Sequence, residues 1–154
     1  MSESARFAEI SDLVEFEYLH ASSRENINGR KGAEQWLEIN SLKGDSDVLF
    51  QNLVNDSNYL CVLGLYEDHP FGFLIAEQTQ LQGELSVDIR EVFVDPEARE
   101  VGIGEAMMDF LLEWARSASA ATLTSRALPG DRELKNFFER YKVTARLIEV
   151  ARRL

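Results

Sequence analysis

The chain has 154 residues, 45% of them hydrophobic, and a formal net charge of −11. That length suits one domain, spanning 1–154, with a real core, and the apolar content excludes disorder. The acidic balance excludes a nucleic-acid partner, and no apolar run is long enough for a membrane span.

The opening Ser2-Glu3-Ser4 shows neither a basic start nor an apolar signal core, so a cytoplasmic location is expected. A single cysteine, Cys61, excludes an internal disulfide and a cysteine-built zinc site, and it lies in an apolar run as a small buried hydrophobe. His20 and His69 lack metal-ligand spacing, so no metal is expected. The acids are unevenly placed: residues 1–80 carry 14 acids and 5 bases, residues 81–154 carry 13 and 11. An acidic half beside an anion site suits a cationic substrate meeting an anionic cofactor, although acidic surface serving solubility is the simpler reading.

In chain order, Arg6 to Ile10 reads as a short strand. Ser11-Asp12 then caps a helix with Leu13, Val14, Phe16 and Leu19 as its apolar positions. Asn28-Gly29 marks a turn. The segment 30–44 is ambiguous between helix and strand. Asp45 to Asp56 suits a helix with Val48, Leu49, Leu53 and Val54 on one face. Tyr59 to Tyr66 is a dense apolar strand, Asp68-His69-Pro70 turns, Phe71 to Thr79 returns, and Gln82-Gly83 leads into a third strand from Glu84 to Val94.

That third strand carries a change of parity. Leu85, Val87 and Ile89 alternate in one phase, whereas Val92 and Val94 continue in the other. One inserted residue, a β-bulge near Arg90-Glu91, accounts for it. Ile103, Ala106, Met107, Phe110, Leu111, Trp114 and Ala115 then follow helical spacing. A strand over Thr122 to Ala127, a break at Leu128 to Asp131, a helix to about Tyr141 and a closing strand from Val143 to Arg153 complete a mixed α/β order.

Between the third strand and the long helix lies Val94-Asp95-Pro96-Glu97-Ala98-Arg99-Glu100-Val101-Gly102-Ile103-Gly104. A helix start leaves its first amides without internal partners, and with the helix dipole they favour an anion such as a phosphate. Gly102 and Gly104 lack a Cβ, so an anion can approach the backbone closely. A plain tight connection is the alternative.

The stretch Glu91 to Ala106 resembles the acetyl-CoA motif of the GNAT superfamily of N-acetyltransferases. Its Arg-x-x-Gly-x-Gly core is matched by Arg99 to Gly104 behind a strand ending in Val-Asp-Pro, and Lys135 to Arg140 resembles the family's second motif. The element order agrees over nearly the whole chain. The resemblance implies a strongly bent mixed sheet flanked by helices, and acetyl transfer from acetyl-CoA to a primary amine in a ternary complex. The alternative is a catalytically weak acyl-CoA-binding or regulatory module.

It further implies that the amides of Arg99, Glu100, Val101, Gly102, Ile103 and Gly104 cradle a pyrophosphate. Phe93 and Val94 would pair their main chain with the pantetheine and polarise the thioester carbonyl. Asn136 and Phe138 would contact the cofactor from the last helix. Glu91 sits where many members place a general base, with a carboxylate pairing to Arg90 or Arg126 as the rival reading. The usual proton-donating Tyr aligns with Phe138, which has no proton to give, so Tyr141, water or nothing takes that role. The acceptor is left open between small-molecule and peptide amines. Many members pair, so a homodimer is a further family expectation.

Overall fold

The computed structural model describes residues 2–154. Five strands form one mixed sheet in the order β1-β2-β3-β4-β5. They are β1 Glu3–Phe7, β2 Tyr59–Tyr66, β3 His69–Leu81, β4 Glu84–Val94 and β5 Thr122–Thr124. The first four pair antiparallel and β5 joins β4 in parallel. Both hairpins are two-residue turns whose central residues are left-handed. Glu67 and Asp68 have φ of 50° and 64°, Gln82 and Gly83 have 53° and 79°. That twist matches the twist of the flanking strands.

The helices α1 Leu13–Ile27, α2 Ala33–Ile39, α3 Ser46–Asn55, α4 Ile103–Ser117 and α5 Arg132–Arg140 cover the sheet. Alternation along β2 divides the core. Leu60 and Val62 join Met107, Met108, Leu111 and Phe138 on the α4 side, while Cys61, Leu63 and Leu65 join Phe16, Leu19, Phe50 and Phe73 on the α1 and α3 side. The long helix sits close to the strands because Gly64 and Gly72 leave room for it. A Cβ on Gly64 would lie 2.5 Å from Ile103 Cγ2, and one on Gly72 would lie 3.1 Å from Met107 Cε. Among the described residues no helix is long and apolar enough to cross a membrane.

Several expected boundaries move, each for a local reason. The first strand ends at Phe7 rather than Ile10. The Asp12 carboxylate accepts the Glu9 N–H at 2.8 Å and takes the Arg6 guanidinium on both oxygens, which folds Ile10–Asp12 into a 3-10 turn. The hairpin turn lies at Glu67-Asp68, so His69 and Pro70 open β3 beside a bulge where Pro70 costs no ladder bond. The strand expected over Thr122 to Ala127 stops at Thr124, because Ser125 Oγ bonds the Ile89 carbonyl and Arg126 turns to Asp88. On α3, Val48 is exposed and Phe50 is buried in its place. The closing strand expected over Val143 to Arg153 is absent among the described residues: 143–154 is irregular, Val143 packs on the α4-side core, and 144–154 is exposed with no strand beside it.

One polar side chain is held within the α1 side of the core. His20 stacks on Phe16 at 5.3 Å between ring centroids, its Nδ1 lies 2.7 Å from Ser46 Oγ, and its Nε2 has no partner. Burial first, and then the Arg24 charge, hold its pKa below the ordinary 6.5, against a smaller opposing pull from Glu91. The folded imidazole therefore refuses a proton that the unfolded chain accepts. The stability this gives is present above about pH 6.5 and is lost as pH falls below it. Urea midpoints should be flat from neutral to mildly alkaline pH and should decline as pH falls below about 6.5. His20→Phe should remove that decline, whereas an unchanged slope would place its origin elsewhere.

Candidate functional site

The site is built around the bulge. Ile75 pairs with Glu91 and Ala76 with Ile89, so Arg90 is the additional residue in β4. Ahead of it Val87 and Ile89 face the α4 side, and beyond it Val92 and Val94 do, leaving Phe93 on the α1 side. The parity change is thereby placed at the expected residue.

Glu91 emerges from the bulge as a buried carboxylate, not a surface one. Its side chain is 2% exposed. It accepts Arg24 Nη1 at 2.7 Å and Nη2 at 3.0 Å, and the Leu42 N–H at 3.0 Å. The expected partners, Arg90 and Arg126, go elsewhere. Arg90 binds Glu77 at 2.8 Å and the Asn40 carbonyl at 2.9 Å, and Arg126 binds Asp88 at 2.7 Å. Asn40, itself buried, donates to the Arg90 carbonyl and receives Arg126 on its side-chain oxygen. Both bulge residues are thus clamped by the segment between α2 and α3. With three hydrogen bonds on its two oxygens, Glu91 braces the bulge against Arg24 and Leu42, and it also lines the pocket at Val92.

A gap opens beyond the bulge. β5 pairs with β4 only over Ser86 to Asp88, so among the described residues the outer edge of β4 has no strand beside it from Arg90 onwards. The Asp95 N–H donates to the Phe71 carbonyl, on the β3 side. By the two-residue period, the polar groups of Phe93 face β3 as well, and those of Val92 and Val94 face the gap. The Arg99 Nε–H donating to the Val94 carbonyl at 3.1 Å agrees with this. The gap-facing donors are therefore Val92 and Val94. Phe93, expected to share that role, is turned the other way. A narrow pocket of about 60 Å³ adjoins Val92, bordered by Trp36 and Asn26 on one side and by Leu128, Asp131 and Leu134 on the other.

The gap runs to the start of α4. Gly102 stands before the helix in the left-handed region at φ 88°, as does Glu100 at 69°. The first bond within the helix is from the Ala106 N–H to the Gly102 carbonyl. The amides of Ile103, Gly104 and Glu105 thus have no acceptor inside it. A Cβ on Gly104 would meet the Phe137 ring at 3.3 Å and Val94 Cγ2 at 3.9 Å, so this glycine also allows α4, α5 and β4 to close together.

The sequence model of the Acetyltransferase (GNAT) family matches residues 24–141. The chain belongs to the GNAT acetyltransferase family. No curated protein matches it in sequence. Its fold is similar to that of a ribosomal-protein-alanine N-acetyltransferase from Brucella melitensis biovar Abortus 2308, with 18% identity, full coverage of both chains and a TM-score of 0.74. It is similar to an aminoglycoside acetyltransferase from an uncultured soil metagenomic sample, solved with sisomicin, at 19% identity, 99% and 95% coverage and a TM-score of 0.73. An aminoglycoside N-acetyltransferase solved with CoA gives 14% identity, 100% and 97% coverage and a TM-score of 0.73.

Within this GNAT domain the residues expected on α5 divide. Asn136 is exposed, and its amide makes no hydrogen bond among the described residues. Phe138 is buried among the α4-side core residues. The Tyr141 hydroxyl lies 3.3 Å from Asp109 Oδ1 and 3.4 Å from the Glu105 carbonyl, over the outer turns of α4. Burial, reinforced by Asp109, pushes its pKa up to about 12. Tyr141 does not line the pocket at Val92. Sequence reading missed Arg24, Asn40 and Val92. Only Val92 left a signal, in the phase change that turns the strand.

The clamp predicts a stability effect. Glu91→Ala would leave Arg24, whose side chain is 26% exposed, without its carboxylate, at a cost of about 3 kcal/mol in urea denaturation. The Arg24→Ala, Glu91→Ala double variant should lose clearly less than the sum of the single losses. Strict additivity would show that the pair is not coupled.

Proposed function

We propose that this chain, as one GNAT domain over 1–154, transfers an acetyl group from acetyl-CoA to a primary amine by direct attack in a ternary complex. One observation carries the reading: the free edge of β4 at Val92 and Val94 leads along an open gap to the unpartnered amides of α4. An extended pantetheine arm fits such an edge, and a pyrophosphate fits such a helix start. Asn136 is free to hydrogen-bond the arm from α5.

Each part of the chemistry has a residue. The Val92 N–H, facing the gap beside the pocket, polarises the thioester carbonyl and stabilises the oxyanion that develops there. The pocket walls, Trp36 and Asn26 among them, orient the amine. The amine gives its proton to water before its nitrogen attacks the carbonyl carbon. The new N–C bond forms as the C–S bond breaks, and the sulfur leaves as a thiolate that takes its proton from water. Tyr141, bonded to Asp109, is not needed for that step. Glu91 holds the bulge, and through it the Val92 amide, in place. The guanidinium groups near the pocket are matched by acids, Arg24 by Glu91 and Arg30 by Asp131. An ammonium group approaching this acidic protein therefore meets no free arginine there. Ribosomal-protein alanine and an aminoglycoside, the compounds attached to the fold's neighbours, both offer amines, and a small-molecule or peptide amine is the acceptor class we favour.

Two measurements test this. Gly104→Glu, which places a carboxylate at the helix start, should abolish acetyl-CoA binding by calorimetry while the circular dichroism spectrum is retained. Unaltered affinity would remove the proposed phosphate site. Free-thiol release with a panel of amines should then detect turnover. Its absence across peptide and small-molecule amines, with acetyl-CoA binding intact, would favour a binding module, the reading that the committed Glu91 and Tyr141 side chains support. If turnover is found, Glu91→Gln should lower kcat by a similar factor at every pH. A loss confined to low pH would return Glu91 to the role of base.

A further inference from the structure

The pocket at Val92 has two kinds of lining. Asn26, Arg30 and Asp131 make it polar, with Arg30 Nη1 and Asp131 Oδ2 3.4 Å apart. Ile27, Phe73, Phe93, Leu128 and Leu134 line it with hydrocarbon. Leu128 is only 8% exposed, yet it belongs to neither half of the core, and the half-buried Ile27 and Trp36 do not either. All three are gathered around the pocket instead. The loop after α1 closes on the segment before α5. A Cβ on Gly32 would lie 3.3 Å from Leu128 Cδ2, and Arg30 reaches Asp131 from the same loop.

Hydrocarbon gathered around an open space gains from an aliphatic occupant. Water is held poorly there, and the walls lack van der Waals partners across the space. The pocket of about 60 Å³ takes about four to six groups the size of a methylene. The methyl of an acetyl group would fill one such place. We propose that this pocket holds the chain of the acyl donor, so that the protein accepts propionyl- and butyryl-CoA and binds them more tightly than acetyl-CoA. The proposal rests on the acetyl-transfer reading above and deepens it by naming the donors for that same site.

The position of the pocket favours the donor over the amine. It adjoins Val92, whose N–H takes the thioester oxygen in that reading, so the substituent on the carbonyl carbon starts at the pocket. An amine arrives as an ammonium, and hydrocarbon walls would strip its hydration without replacing it. Asn26 and Asp131 suit it better. Glu91, the buried acid of the pocket, has its charge met by Arg24 at 2.7 Å and does not bar an aliphatic chain. With Asp131 it does disfavour a donor that ends in a carboxylate. The chemistry is the same at every chain length. The amine nitrogen bonds the acyl carbon as the C–S bond breaks, and the amine proton passes to water. The sulfur leaves as a thiolate that takes a proton from water, and the product is an N-acyl amide.

Calorimetric titration of the full chain with a series of acyl-CoA thioesters tests this. Dissociation constants should fall about threefold to fourfold per methylene from acetyl- through propionyl- to butyryl-CoA, and the gain should end before octanoyl-CoA, whose chain exceeds the pocket. Succinyl-CoA should bind more weakly than butyryl-CoA. Ile27→Trp should bring the butyryl-to-acetyl affinity ratio close to one, and Leu134→Ala should extend the longest chain accepted, with circular dichroism as the check on folding. Free-thiol release with one fixed amine should follow the same order of donors, whereas an alkylamine series with acetyl-CoA should show no gain with length. Several results would overturn the inference and leave acetyl transfer standing: equal or weaker binding of butyryl-CoA, a preference for succinyl-CoA, a chain-length gain among the amines instead, or a donor order that neither variant alters. Failure to bind acetyl-CoA together with the rest of the series would remove both readings.

Discussion

One additional residue in β4 sets the geometry of this protein. Were the strand regular, with Arg90 taking its place in the alternation instead of bulging, the side chains beyond it would exchange faces. Val92 and Val94 would leave the α4 side of the sheet, Phe93 would enter it, and Glu91 would turn into an apolar layer with no cation to meet. With Arg90 taken up as a bulge, the strand keeps its valines under α4 on both sides of the irregularity and places one carboxylate where Arg24 can reach it. A bulge interrupts the ladder and needs compensation. Here it comes from Asn40, Arg24 and the Leu42 N–H, all from segments on the α1 side. The clamp and the gap in the sheet are two consequences of the same residue.

What the sequence disclosed follows the range of the forces involved. The limits of β2 and β4, the apolar stripe of α4 and the bulge depend on neighbours a few positions apart, and each can be read from spacing alone. The partner of Glu91 lies 67 positions away, so no local pattern separates Arg24 from Arg90 or Arg126. Tyr141 shows a subtler limit. Helical spacing puts it near the face of Phe138, but its hydroxyl follows the Asp109 carboxylate on α4, and spacing cannot register a neighbouring helix. The closing segment misleads for a related reason. Its alternation is compatible with a strand, but a strand exists only where another edge pairs with it.

The electrostatics follow a division of labour in an acidic protein whose α4 start leaves three amides without a helical acceptor. Seven arginines, at 6, 24, 30, 90, 99, 126 and 140, lie within ion-pair distance of an acid. They serve to join elements more than to present free charge. Attraction for a diphosphate at the start of α4 then falls to backbone dipoles, which cost no net charge and act over a few ångströms. At physiological ionic strength, charges further away than about 8 Å are largely screened. An overall charge of −11 is therefore compatible with a local site for an anion.

Gly104 shows how one residue answers to two constraints. A reading by motif assigns its missing side chain to the approach of a phosphate. The structure supplies an independent need, since a Cβ there would press on the Phe137 ring and reach towards Val94. The two needs are linked. The helix start can stand beside the β4 edge only if β4, α4 and α5 meet closely, and that meeting takes place at Gly104. The same absence of a Cβ that brings three elements together also leaves the amides at their junction uncovered. Close packing and the uncovered amides of the helix start therefore rest on a single feature of the backbone.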